Sequence, residues 1–152
     1  MALGAALSGP RAGRLGLVLA LLALAGCHPP GTQETTLERE EIERRAQVRL
    51  PPGARDVHVH TETGIDSMVM LRFAIDAGEL GAFLASAGFT EPLREELRPF
   101  TPSDSEGLAW WHPERATRAR GGHRADEDRA SEVMVDLTDP EHPVVYLKTF
   151  TL

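Results

Sequence analysis

His58 and His60 have the residue type and the spacing from which a metal site can be built. Side chains two positions apart on a β-strand leave the same face, about 7 Å apart along the chain. Two neutral imidazoles in that arrangement could share a zinc ion if a third ligand joined them. Candidates for the third ligand are His112, His123, His142 and Asp56. The alternative is a solvent-exposed strand face, because Asp56 and Glu62 flank the pair and an isolated H-x-H pattern has low specificity.

Trp110 and Trp111, followed by Arg115, form a second candidate site. Neighbouring side chains in an extended segment point in opposite directions, so one tryptophan can fill the core while the other lies at the surface. A surface tryptophan with an arginine nearby is suited to bind a glycan, a peptide or a lipid. The alternative is that both rings pack beneath a loop.

Arginines are concentrated in the stretch that follows: Arg115, Arg118, Arg120 and Arg124. Guanidinium groups bind phosphate and carboxylate groups through paired hydrogen bonds, so this group is a candidate anion site. Residues 126–128 are all acidic and lie close enough in sequence to neutralise it. A solvated charged loop is therefore the competing interpretation.

The sequence contains no motif for nucleophilic catalysis or nucleotide binding. No serine lies in a G-x-S-x-G turn, and no phosphate-binding glycine loop occurs. Catalytic triads are defined by geometry rather than by order along the chain, so a triad of distant residues stays open. The expectation is a non-enzymatic protein without a cofactor.

Cys27 is the single cysteine of the 152 residues, and its surroundings predict where the chain goes. Residues 1–14 carry Arg11 and Arg14 and no acid, and the run from Leu15 to Ala25 contains only Leu, Val, Ala and Gly. A basic start, a short apolar run and small residues at its end are typical of a signal peptide, predicted here over residues 1–26. The run is too short for a membrane span, which needs about 20 apolar residues.

The sequence Leu24-Ala25-Gly26-Cys27 resembles the lipobox of bacterial lipoproteins, in which a Leu and two small residues precede an invariant Cys. The resemblance implies that the Cys27 thiolate takes a diacylglycerol, that a peptidase cuts before Cys27, and that two or more acyl chains make a stable anchor. His28 stands where an Asp would retain a lipoprotein at the inner membrane, which implies the periplasmic face of the outer membrane. Ordinary secretion, with cleavage after Ala25, is the alternative.

The net charge of the chain limits the classes of partner that it is expected to bind. Removal of residues 1–26 takes away two arginines and no acid, which changes the formal net charge from −7 to −9. Such an acidic chain is a poor binder of nucleic acid and of anionic lipid surfaces. The expected partners are therefore the lipid bilayer, through acylated Cys27, and an unknown envelope protein or wall component.

The chain between the anchor and the candidate sites divides into a tether and a domain. Pro29, Pro30 and Gly31 are typical of a flexible tether. A charged helix that begins at Thr35 and ends before Pro51 is predicted as a solvated spacer, so residues 27–50 link the lipid to a globular domain over residues 51–152.

Within the domain, alternation predicts strands over residues 54–62, 67–75, 131–137 and 144–152. Asp76 begins an amphipathic helix, and Thr90 begins a second, shorter one. Residues 112–130 have hardly any large apolar side chain and are predicted as a mobile surface loop. The predicted core residues are Val69, Leu71, Phe73, Phe83, Val133 and Val135.

The predicted fold is α+β, a small two-layer sandwich in which two hairpins form a four-stranded antiparallel sheet with one or two helices on one face. This pattern is similar to small uncharacterised bacterial envelope proteins, a resemblance that implies no activity. The sequence is compatible with two functions: a non-enzymatic interaction module anchored to the membrane, and a metal-dependent envelope enzyme built on His58 and His60.

Overall fold

The computed structural model describes residues 37–64 and 66–151. Cys27, the apolar run before it and the predicted helix start at Thr35 lie outside these residues. Within the part that is described, no helix is long and apolar enough to cross a membrane.

The described residues form one antiparallel sheet of six strands in the order β1-β2-β6-β5-β4-β3. The strands are β1 (Arg55–Thr63), β2 (Ser67–Ala74), β3 (Arg94–Glu95), β4 (Ala119–Ala125), β5 (Arg129–Asp136) and β6 (Val144–Thr151). The two predicted hairpins are present as β1–β2 and β5–β6, and the pairing of β2 with β6 joins them. The α+β class is therefore confirmed, whereas the prediction of four strands is wrong by two.

Strand β4 lies inside the segment that was predicted as a mobile loop. It pairs with β5 along its whole length, from Ala119 opposite Asp136 to Ala125 opposite Ala130. Gly121 permits the close packing of the neighbouring segment, because a Cβ there would collide with the carbonyl oxygen of Leu97. Backbone pairing and small residues hold this strand, so a search for large apolar side chains cannot detect it.

The short helix predicted after Thr90 is absent, and strand β3 occupies its place. Arg94 and Glu95 pair with Gly121 and Arg120 of β4. A single helical turn between two prolines would gain few hydrogen bonds of its own, whereas a strand next to β4 gains cross-strand pairs.

The first helix, α1 (Arg39–Ala46), belongs to the folded core and is not a solvated spacer. Ile42, Ala46, Val48 and Leu50 are all buried. The Arg39 guanidinium donates hydrogen bonds to the carbonyl groups of Leu50 and Pro51, which fixes the chain as it leaves the helix. The folded unit thus begins well before Pro51, whereas the sequence analysis predicted that it starts at Pro51.

The second helix, α2 (Ala77–Ser86), follows the prediction closely. Asp76 is its N-cap residue, and the helix stops before Gly88, whose φ of 81° lies in the left-handed region that glycine favours. Phe83 points from this helix into the core and contacts Phe73 edge-to-face, with 4.9 Å between ring centroids.

Both faces of the sheet are buried, which the prediction of two layers did not anticipate. Helices α1 and α2 cover the first face, and all six predicted core residues lie there as expected. The second face, called here the tryptophan face, buries Met70, Trp111, Ala116, Ala119, Met134 and Tyr146. Residues 96–118 cover it with two short 3₁₀ turns, Pro102–Ser105 and Pro113–Arg115, and no α-helix.

Candidate aromatic binding site around Trp110

The structure brings two separately predicted candidates, His58 and Trp110, into contact on the tryptophan face. The imidazole of His58, on β1, stacks on the indole of Trp110 with 5.3 Å between ring centroids and 14° between ring planes. Trp110 is partly exposed, and His58 is partly exposed beside it. We call Trp110, His58 and Asp56 the Trp110 surface.

Trp111 has the opposite role, because its side chain is completely buried. Its ring meets Phe100, Tyr146 and Trp110 edge-to-face, with centroids 5.0, 5.1 and 5.7 Å away. The two adjacent tryptophans thus divide between core and surface, the arrangement that the alternation of an extended segment favours. Trp111 supports the site and does not contact solvent.

Asp56 links the Trp110 surface to the sheet. Its φ of 52° accompanies a bulge in β1 between Arg55 and His58, and this local irregularity re-aims the side chain. The carboxylate accepts a hydrogen bond from Arg72 Nη1 at 2.5 Å and lies 3.0 Å from His58 Nε2. The hydrogen bond from Arg72, aided by His58, holds the pKa of Asp56 below its ordinary value despite partial burial.

These contacts close into a ring. Arg72 lies over the ring of Tyr146, 5.9 Å from its centroid, and Tyr146 packs against Trp111. Trp111 contacts Trp110, and Trp110 stacks on His58. Asp56 contacts both His58 and Arg72, which completes the ring. Each member therefore has two fixed neighbours, so the exposed part of Trp110 is held in one orientation before any ligand arrives.

The histidines do not converge on a metal site. His58 Nε2 faces Asp56, whereas His60 Nε2 faces Glu62 at 3.2 Å, so the two rings are drawn in opposite directions along β1. His112 uses both ring nitrogens, one toward Ala109 O at 2.8 Å and the other toward Glu114 at 3.2 Å. Among residues 37–64 and 66–151, no three His, Cys, Asp or Glu side chains are grouped to hold a metal ion.

The predicted arginine cluster is dispersed. Arg115 is largely exposed, and its nearest charged partner is Glu114 at 4.0 Å. Arg120 pairs with Glu95 at 2.7 Å, and Arg124 pairs with Asp126 at 3.1 Å at the far end of β4. Arg120 and Arg124 leave the same face of β4 but lie about 13 Å apart along the strand, and each is paired with its own acid, so no common anion site forms from this set.

Lys148 marks a buried charge group that sequence reasoning missed. It is the only lysine in a chain with fifteen arginines, and this was the one feature of the sequence that could have drawn attention to it. Its ammonium group bonds to Asp104, and only 12% and 14% of the two side chains remain exposed. The ammonium also lies 4.8 Å from the centre of the Phe150 ring. A compact ammonium fits this confined position better than a planar guanidinium would.

The Lys148–Asp104 pair attaches the covering segment to the sheet. The Asp104 carboxylate also accepts hydrogen bonds from the backbone N–H and hydroxyl of Thr101, at 2.6 and 2.9 Å. Burial acts to raise the pKa of Asp104, but the bonds from Lys148 and Thr101 outweigh it and lower that pKa. Glu132 stands directly across from Lys148 on β5, and burial raises its pKa. The pair thereby holds the chain that leads to Trp110.

Comparisons of the chain with protein-family models, with curated proteins and with solved structures gave no match.

Proposed function

We propose that the chain is a lipoprotein of the bacterial cell envelope whose folded part is a non-enzymatic binding module. The observation that carries the anchor is Leu24-Ala25-Gly26-Cys27, placed directly after a basic start and a short apolar run. A lone cysteine at the one position where lipidation requires it supports the same conclusion. Acylation at Cys27 would attach the module to a bilayer by two or more chains, and His28 favours the outer membrane.

The Trp110 surface is the proposed contact with the partner. Trp110 is partly exposed, yet its orientation is fixed by His58 and by buried Trp111. An aromatic ring fixed in this way loses little conformational entropy when a ligand stacks on it. Among the described residues no three potential metal ligands are grouped, and His58 and His60 face different carboxylates, which supports the binding module over the metal-enzyme alternative.

The chemistry around Trp110 favours a wall glycan as the partner. Exposed carboxylates of Asp56, Glu62 and Glu114 line β1 and the turn after Trp111, where they can accept hydrogen bonds from hydroxyl and amide groups. A sugar ring supplies such donors together with an apolar face that stacks on indole. An anionic polymer would be repelled by these acids and by the net charge.

Co-sedimentation with purified cell-wall sacculi tests the module. The full chain, purified in detergent, is expected to pellet with sacculi, and Trp110→Ala is expected to remain in the supernatant at the same concentration. His142→Ala, a change of an exposed histidine beyond β5, serves as the matched control and should pellet like wild type. Equal pelleting of the Trp110→Ala protein with an unchanged melting temperature would remove the Trp110 surface from the proposal.

Cell fractionation tests the anchor separately. Wild type is expected to stay with membranes after a carbonate wash, and Cys27→Ala is expected to appear as unprocessed precursor or as a released form. A Cys27→Ala protein that remains membrane-bound after the wash and still incorporates labelled fatty acid would refute the lipoprotein assignment.

A further inference from the structure

A cleft lies near the β3–β4 edge of the sheet, far in strand order from β1 and the Trp110 surface. Its volume is about 430 Å³, and it runs between residues 88–94 and the end of β4. The lining includes Phe89, Arg94, Gly122 and Arg124, with Glu91 as its one carboxylate. This size matches that of pockets which hold small molecules or headgroups.

Arg124 is fixed in the wall of this cleft. Gly88 makes room for it, because a Cβ at Gly88 would approach the Arg124 guanidinium to 3.1 Å. The guanidinium also lies 6.0 Å from the centre of the Phe89 ring. Nη1 bonds to Asp126, but buried Nε has no hydrogen-bond partner among the described residues. That Nε is covered by protein atoms, so a ligand in the cleft would meet the terminal nitrogens of the Arg124 guanidinium.

A second arginine stands beside Arg124 on the same face of the sheet. Arg124 pairs with Ser131 across β4 and β5, which makes Arg129 its diagonal neighbour. The Nε of Arg129 is likewise buried without a partner among the described residues. Burial and then the charge of Arg124 lower the pKa of Arg129, and the acids Asp126 and Asp128 do not fully compensate.

Arg94, on β3, also lines the cleft. It is exposed and forms no ion pair with the residues that the structure describes. Arg120, by contrast, points from the neighbouring position of β4 and is paired with Glu95. Arg94 and Arg124 thus both line one cleft of an acidic protein, and Arg129 lies beside Arg124 without lining the cleft.

We infer that this cleft binds a phosphate group, with Arg124 as the principal ligand, Arg94 closing over it and Arg129 supplying charge from behind. Guanidinium groups bond to phosphate oxygens in parallel pairs, and a phosphate offers enough oxygens to serve several arginines at once. The group can belong to a soluble phosphate compound or to a lipid headgroup. This inference does not depend on the Trp110 surface, since the two sites lie at different edges of the sheet.

Isothermal titration calorimetry of the full chain in detergent tests the inference with two probes, pyrophosphate and monomeric dihexanoyl phosphatidylglycerol. At least one probe should bind wild type, and Arg124→Gln should weaken it by about tenfold or more, since a hydrogen bond to a charged group is lost. Arg94→Gln, a surface change that does not threaten folding, should weaken it about threefold or more. The tighter probe identifies the soluble or the lipid source.

Arg115→Gln is the matched control, because Arg115 is an exposed arginine outside the cleft, and its protein should bind like wild type. Absence of heat with both probes would overturn the inference. Wild-type affinity in the Arg94→Gln protein would overturn it as well, and this second comparison stands even if Arg124→Gln folds poorly.

Discussion

Removal of the Lys148 ammonium should cost more stability than any exposed charge change in this chain. In Lys148→Met the Asp104 carboxylate stays buried, with 14% of its side chain exposed in the native protein, and retains only the hydrogen bonds from Thr101. Breaking one partner of a buried ion pair costs about 3–5 kcal/mol. The bonds from Thr101 place the expected loss near the lower end, about 3 kcal/mol.

Urea denaturation followed by circular dichroism measures this loss, and a matched exposed pair provides the scale. Arg120 and Glu95 lie 2.7 Å apart with 45% and 76% of their side chains exposed, so Arg120→Met should cost below about 1 kcal/mol. The double variant Lys148→Met with Asp104→Leu should be more stable than Lys148→Met alone, because the uncompensated carboxylate is gone.

A loss in Lys148→Met no larger than the loss in Arg120→Met would refute the view that the pair anchors residues 101–105 to the sheet. A double variant less stable than both single variants would refute the proposed cause, since it would mean that the carboxylate without its partner carries no penalty.

Three further outcomes follow from the structure. Phe73→Ala should lose about 3–5 kcal/mol in the same denaturation assay, because Phe73 is fully buried against Phe83, and a loss below about 1 kcal/mol would mean that the strand register is wrong. Glu132→Gln should raise the melting temperature at pH 7 and leave it unchanged at pH 4. Burial raises the pKa of Glu132, so the wild-type protein loses stability as the pH rises through that pKa, whereas glutamine stays neutral at both pH values. An equal effect at both pH values would exclude ionisation as the cause. Trp111→Ala should both destabilise the protein and abolish sacculus binding, whereas Trp110→Ala should abolish binding with little change in melting temperature; equal destabilisation would contradict the division between core and surface.

Strand pattern and helix caps predicted the helix-covered face well. The alternation of Val69, Leu71 and Phe73 identifies the face of β2 that meets α2, and all three are buried there. This part of the fold rests on apolar periodicity, which the sequence displays directly.

The tryptophan face was harder to predict because its cover is irregular. Met70 and Met134 alternate with the predicted core residues along their strands and so would point away from that core, yet they are only 2% and 1% exposed. Nearly continuous apolar runs such as residues 133–135 are the signal of strands buried on both faces. Residues 96–118 cover these strands and show no apolar periodicity. They are held in place by Lys148, Trp111 and backbone contacts between distant parts of the chain.

The candidate site, too, could be predicted only in part. Sequence reasoning selected His58 and Trp110 on separate grounds, but their stacking depends on how residues 96–118 fold over β1, which no local pattern encodes. The bulge at Asp56 and the cleft beside Arg124 likewise depend on strand pairing, so only the three-dimensional arrangement reveals them.

Mass spectrometry of the N-terminal peptide, isolated from the envelope of cells that express the chain, tests the central proposal most directly. The lipoprotein assignment predicts a mature chain that begins at Cys27 and carries a diacylglycerol on its sulfur. A mature chain that begins at Gly26 and carries an unmodified Cys27, which is the product of ordinary cleavage after Ala25, would contradict it.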